Sequence, residues 1–253
     1  MNLWRRKFFA FGIHFSITAV LGAIAAALIF LVWFPHPFAT MIGGTELFML
    51  VVGCDLVLGP LLSLVVYDPR KTRRALIVDY SVIGIVQLCT LVYGVYIVAG
   101  TRPVDVAFNR DRLEVVTARD ISDAELAAAR LPEYQTLSLT GPRYVSIQVP
   151  REDQQDALFQ SVSGNEEHQR PKFYAPYEAA LEQIRKRAKT IDVLEKKFPG
   201  YTPALEAAVS EAGISRDAAR WLPVHHRQGF WTAIIDPVSG RPLSYAAVDP
   251  YGE

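Results

Sequence analysis

Residues 8–34 contain no charged side chain, and a 27-residue apolar run leaves a chain few options. At the helical rise of about 1.5 Å per residue the run is about 40 Å long, and a bilayer core of about 30 Å needs roughly 20 residues. It is therefore long enough to cross a membrane with some tilt. Arg5, Arg6 and Lys7 ahead of it look like the start of a secretory signal, but the apolar stretch far exceeds a signal core of roughly 7–15 residues, so it reads as a retained span. Residues 47–67 give a second run of 21 residues with one charge, Asp55, and residues 80–99 a third of 20 residues with none.

Charge is partitioned to match. The chain carries 26 basic and 26 acidic side chains, but residues 1–100 hold only seven and four of them. This predicts a membrane domain over 1–100 and a water-soluble domain over 101–253, and it excludes an ordinary soluble domain, a fully embedded transporter and a disordered tail. With 19 basic and 22 acidic residues the soluble part is slightly acidic, which argues against nucleic acid as a partner. Cys54 and Cys89 both fall in apolar runs, where thiols act as small hydrophobes. The soluble part has no cysteine, so it has neither a disulfide framework nor a Cys-type zinc site.

Orientation follows from the short loops. Arg5, Arg6 and Lys7 precede the first span, Arg70, Lys71, Arg73 and Arg74 fill the second loop, and residues 35–46 have no Lys or Arg. The amino terminus and second loop are thus expected in the cytoplasm and residues 101–253 on the far side, which in a bacterium is the periplasm. Trp4, Trp33, Tyr67, Tyr93 and Tyr96 lie towards run ends, as interfacial aromatics do.

A few residues inside the spans do not belong in oil. Asp55 lies eight residues into its run, about 12 Å below the outer end. Ionised there, it costs about 2.5–3.5 kcal/mol, so it must face the bundle or stay protonated. His14, Ser16, Thr18, Gln87 and Thr90 are the polar partners on offer from the other two helices. Asp55 then either makes one interhelical hydrogen bond and nothing more, or serves a function; so few titratable groups make a poor proton relay. One turn on, Gly59-Pro60 removes a backbone hydrogen bond and should bend the helix, opening a shallow groove beside Asp55 or simply serving packing. Ala19, Ala23 and Ala27 form a small-residue stripe read as the seam of the three-helix bundle.

In the soluble part, period-two alternation predicts hairpins. Val104, Val106 and Phe108 alternate before a turn at 109–111 and a return over 113–117. Residues 136–140 and 145–149 flank Gly141-Pro142, and 230–236 and 243–248 flank 237–240. Helices are expected between them: from a Ser122/Glu125 capping box to about Arg130, over 152–162, over 176–198 with an apolar stripe from Tyr177 to Phe198, and from Thr202-Pro203 to Gly213. A short turn from Ser215 precedes Trp221. The fold class is three transmembrane α-helices followed by an α+β periplasmic domain of antiparallel hairpins with helices on one face. No chemistry stands out there. His225-His226 would point to opposite faces of a strand, a poor chelator, and no phosphate loop, nucleophile elbow or carboxylate pair is present. The basic run Arg185, Lys186, Arg187 and Lys189 reads as a solvated face. No catalytic residue, metal or cofactor is expected.

An ordered series of short motifs does carry a resemblance: Glu46-Leu47-Phe48, Gly53-Cys54-Asp55, Leu58-Gly59-Pro60-Leu61-Leu62, Asp68-Pro69-Arg70-Lys71, then Asp79, Gln87-Leu88, Tyr93-Gly94, Arg102-Pro103 and Asp111-Arg112. With three early spans and the Asp249-Pro250 close, the chain resembles the TfpX/TfpZ family of type IV pilin accessory proteins, bacterial inner-membrane proteins. The resemblance implies a non-catalytic, chaperone-like role in producing pili, with the major pilin as client, the lipid bilayer as surroundings and other pilus-assembly components as further partners. A pilin waits in the membrane as one long apolar helix with a periplasmic head, so the expected client-binding groove comprises Asp55, Gly59, Pro60, His14 and Gln87. The alternatives are a membrane-anchored periplasmic small-molecule-binding protein, which lacks convergent pocket residues in the sequence, and a structural subunit of an envelope complex.

Overall fold

The first apolar run is helical from Leu3, and α1 (Leu3–Ala27) continues into a π-helical stretch, Leu28–Trp33, before Pro35 ends it. The computed structural model describes residues 3–68 and 70–252; Pro69, within the loop motif above, lies outside the described residues. A short helix α2 (Phe38–Met41) buries Phe38 and Met41, and Gly43, with φ +73°, turns the chain into α3 (Gly44–Val66). α3 runs through Pro60 without a break. Thr72 accepts the Ala75 N–H at 3.3 Å where α4 (Arg73–Thr101) begins. Among the described residues three helices, Trp4–Trp33, Gly44–Val66 and Arg73–Thr101, are long and apolar enough to cross a membrane. Their outward faces carry large apolar side chains, such as Leu31, Val65 and Ile85, as lipid contact requires. Both cysteines are exposed among them.

The chain divides into two compact units, meeting in sequence at Thr101 and Arg102. In the first, α1 and α4 each pack along α3. The seam on α1 is not the alanine stripe. Ala23 and Ala27 are exposed, whereas Gly22, Ala25 and Ile29 are buried, and a Cβ at Gly22 would meet Val52 at 3.0 Å. The seam keeps the four-residue spacing, as His14, Thr18 and Gly22, but starts one residue earlier, which rotates it by about 100°. Polar contacts of His14, which period alone does not register, set that rotation.

The second unit is built on one eight-stranded sheet: β1 (Pro103–Asn109), β2 (Arg112–Thr117), β3 (Arg143–Ile147), β4 (Tyr174–Pro176), β5 (Lys189–Thr190), β6 (Arg220–His226), β7 (Gly229–Ile235) and β8 (Pro242–Ala246). Spatial order is β4-β3-β1-β2-β6-β7-β8, with β5 on β6. The sheet is mixed, which corrects the expectation of antiparallel hairpins throughout. β1–β2, β6–β7 and β7–β8 are antiparallel, but β1–β3 and β2–β6 run parallel. Residues 136–140 form no strand, so the hairpin expected around Gly141-Pro142 is replaced by a lone β3 that pairs with β1 and β4.

Helices α5 (Asp123–Ala127), α6 (Gln154–Val162), α7 (Leu181–Arg187), α8 (Ile191–Lys197) and α9 (Thr202–Ala212) cover the sheet. Ser122 caps α5 by accepting the Glu125 N–H at 3.3 Å, but the Glu125 carboxylate binds Asn165 Nδ2 at 3.0 Å instead of closing the box, and the helix ends short of Arg130. The single helix expected over 176–198 is broken. Lys189 and Thr190 extend and pair with Trp221 and Arg220, so α7 stops at Arg187 and α8 starts at Ile191. Its apolar stripe serves two places: Ile191 and Leu194 pack with Trp221 and α9, while Tyr177 meets Tyr144. By register Trp221 and Tyr144 point to opposite sides of the sheet, so helical segments cover both faces, not one. Gly213, at φ +67°, ends α9 as predicted.

Candidate functional site

A helix bundle in oil has no apolar driving force of its own, so polar contacts between helices carry unusual weight. Two meet at His14 and a third extends them from Gln87. His14 Nδ1 bonds Ser63 Oγ of α3, its Nε2 lies 2.5 Å from Gln87 Oε1 of α4, and Gln87 Nε2 donates to the Asp55 main-chain carbonyl at 3.1 Å. Gln87 Oε1 can only accept, so the imidazole donates Nε2–H to it, while Nδ1 shares a hydrogen bond with the Ser63 hydroxyl. Gly59 makes it possible, because its missing side chain leaves room for the Gln87 amide. Gln87 thereby binds the carbonyl next to the one at Leu56 that Pro60 deprives of its N–H. Where α1 begins and α3 closes, Lys7 Nζ donates to Leu64 O at 3.1 Å, and just beyond α3 Lys71 bridges Asp79 at 2.7 Å.

Beside this relay, α1, α3 and α4 enclose a cavity of roughly 190 Å³, lined by Thr18, Gly22, Val52, Asp55, Gln87 and Leu91 among others. Asp55 is the middle residue of α3, deeper than its place in the apolar run suggested, because the helix begins at Gly44. It is 8% exposed, and among the described residues its carboxyl has no hydrogen-bond partner. The five polar side chains expected as its partners are engaged elsewhere. His14 and Gln87 serve the relay, Ser16 donates to Gly12 O, Thr18 to His14 O and Thr90 to Val86 O. Of the expected groove residues, Asp55, His14 and Gln87 line the cavity, while Gly59 and Pro60 are buried and not part of its lining. Ser63, fully buried, was missed from sequence, although a serine 49 residues from His14 and on the Asp55 helix face was the available signal.

The second unit holds a different polar cluster. Glu114, 1% exposed, takes Arg112 Nε at 2.6 Å and His225 Nδ1 at 2.7 Å. Burial pushes the Glu114 carboxyl up, but the His225 hydrogen bond, the His168 charge and Arg112 hold it below its ordinary range. The hydrogen bond to Glu114 correspondingly raises His225 against its own burial. His226, on the opposite face, is pushed down to about 4 by burial and by the His225 charge. A polar cleft of about 570 Å³ lies along Arg110, Arg112, Glu166 and Glu167. There Arg110 pairs with Glu167 at 2.5 Å and Arg112 with Glu114. Its arginines are therefore already matched within the unit, and the cavity at Asp55 is the stronger candidate.

Comparison with known proteins gives this geometry a setting. A family described as "Fimbrial assembly protein FimB" matches residues 2–43, the first long helix and the loop after it. The "Fimbrial assembly protein, serogroup I" of Dichelobacter nodosus is 32% identical over 229 residues, which is 89% of this chain and 89% of that protein. This chain belongs to the fimbrial assembly protein family. A serogroup E1 relative from the same organism is equally similar, 32% over 229 residues and 89% of each chain. A shorter relative of serogroups C1 and C2 is 38% identical over 118 residues, 47% of this chain and 90% of its own length. Membership agrees with the resemblance to type IV pilin accessory proteins carried by residues 46–112, and in two of these relatives it extends across both units. No solved structure gives a significant match to this fimbrial assembly family member.

Proposed function

We propose that this chain is a non-catalytic accessory protein of type IV pilus assembly, seated in the bacterial inner membrane. Its amino terminus is cytoplasmic and its second unit periplasmic. The observation that carries the role is kinship with fimbrial assembly proteins over 89% of the chain. The orientation rests on loop charge: all seven basic residues of the first hundred lie at 5–7 and 70–74. Lys7 reaching Leu64 at the close of α3 fits both sets lying at one end of the bundle.

The client is the major pilin, held in a chaperone-like manner before it enters the fibre. A membrane unit would meet the apolar pilin helix, with the cavity at His14, Asp55 and Gln87 as its contact, and a water-soluble unit would meet the head. The test is crosslinking of the tagged protein in native membranes, followed by mass spectrometry of what co-purifies, beside piliation of a deletion strain. Major pilin as the dominant adduct together with lost surface pili supports the reading. Envelope components without pilin would make the chain a structural subunit, and unchanged piliation would remove the role.

A further inference from the structure

The cavity lacks one thing, and that lack describes what would fill it. Asp55 is more than nine-tenths buried in an apolar setting, lines the cavity and takes no donor from the bundle. The neighbouring donors are spent: Ser63 and His14 inside the relay, Thr18 on the His14 carbonyl. A buried carboxyl without a partner is costly, so such a group persists where something else completes it. Most of the lining comes from α1 and α4, which pack on α3 and are tied to one another by the His14–Gln87 bond. Around Asp55 the walls are apolar, with Ile17, Leu21, Val52 and Leu91. A volume of roughly 190 Å³ is too small for a helix and large enough for one long side chain, set against about 30 Å³ for a single water.

We infer that the cleft between α1 and α4 receives a side chain from an apolar membrane helix of the client, and that this side chain brings a hydrogen-bond donor, N–H or O–H, to the Asp55 carboxyl. The inference rests on the proposed pilin-binding role and adds to it the chemistry the client must present. Apolar walls select a membrane helix over a soluble ligand, and the unpaired carboxyl selects a donor over a second acceptor. His14 and Gln87 act as positioning residues that hold the cleft at its width.

The experiment places a photo-crosslinking amino acid at Leu21 or Leu88, at the rim of the cleft, and at Val65, away from it, in the full chain in native membranes. Major pilin should be captured from both cleft positions and not from Val65. Asp55→Leu should reduce capture at least about tenfold, and Asp55→Asn, which keeps a carbonyl acceptor, should reduce it less. Asp55→Leu removes a carboxyl that takes no hydrogen bond from the bundle, so the variant should resist unfolding at least as well as the parent, which separates loss of a site from loss of the fold. Undiminished pilin capture with Asp55→Leu would overturn the donor inference and leave the pilin partnership standing. Capture of lipid alone in the cleft, with pilin crosslinked elsewhere on the chain, would do the same. Absence of pilin from every position would overturn both.

Discussion

Gln87 lies against Gly59 so closely that a Cβ at position 59 would fall 1.8 Å from its Nε2. That contact lets the Gln87 amide reach the Asp55 carbonyl and His14 at once. Gly59→Ala should expel the amide and break both bonds. At about 0.6–1.7 kcal/mol for each interhelical hydrogen bond in a membrane, the loss is about 1–3 kcal/mol, measurable by reversible unfolding of the solubilised protein. Once Gln87 is replaced by Ala, the clash has no partner, so Gly59→Ala should then cost little more. Additive costs in the double-mutant cycle would mean that the two residues do not act on each other.

The seam gives a second prediction. A Cβ at Gly94 would sit 2.3 Å from Val51 Cγ1, and Val51 is β-branched with little freedom to yield. Gly94→Val should destabilise the three-helix unit by about 1–3 kcal/mol through overpacking. Ala23→Leu, on an exposed face, should change stability by less than about 0.5 kcal/mol. The opposite ranking in unfolding measurements would restore the alanine stripe as the packing face.

Asp105 in the second unit is fully buried, and Arg143 donates to its two oxygens from Nε at 2.8 Å and Nη2 at 3.2 Å. Burial pushes the carboxyl up to about 6 against the hydrogen bond and charge of Arg143. Asp105→Ala should cost about 3–5 kcal/mol because it strands a guanidinium that also stacks over Tyr134, and Asp105→Asn should cost less. Denaturant unfolding of both variants checks the order.

How much of this was legible in the sequence follows the range of each interaction. The apolar runs, the turn at Gly213 and the strands beside residues 109–111 and 237–240 depend on near neighbours, and the structure has them. The parallel pairing of β2 with β6 joins Leu113 to Val224, more than a hundred residues apart, and no local pattern encodes it. The same pairing logic breaks the helix expected over 176–198, since Thr190 gains a sheet partner in Arg220 that outweighs helical propensity. In the membrane unit the polar residues stood out one by one. Which of them bond to which was fixed by the rotation of α1, so Asp55 emerged without the partner its neighbours suggested.

The two adjacent histidines of the second unit contribute to stability with opposite pH dependence, and single variants separate them. His225 is raised in the folded state, so its contribution is fully present below about pH 6.5 and fades as pH climbs through its folded value. Glu114 is lowered, so its contribution is present above about pH 4.5 and is lost as pH falls through its folded value. His226 is lowered to about 4: it stays neutral on folding, with Nδ1 accepting the Gln228 N–H at 3.3 Å, while the unfolded chain takes up a proton below about pH 6.5. The His226 contribution should therefore fall on acidification from about pH 6.5 to 4, by on the order of 2–3 kcal/mol for this 4%-exposed ring. Asp105, raised to about 6, works the other way over about pH 4–6, since its unfolded form ionises first. On acidification over that window the midpoint of His226→Phe should rise relative to the parent's and that of Asp105→Asn should fall relative to it, as read from denaturant midpoints by tryptophan fluorescence, with Trp231 reporting 6.3 Å from the His226 ring. A pH response between 6.5 and 4 in the His226→Phe variant equal to the parent's would show that His226 does not contribute to it.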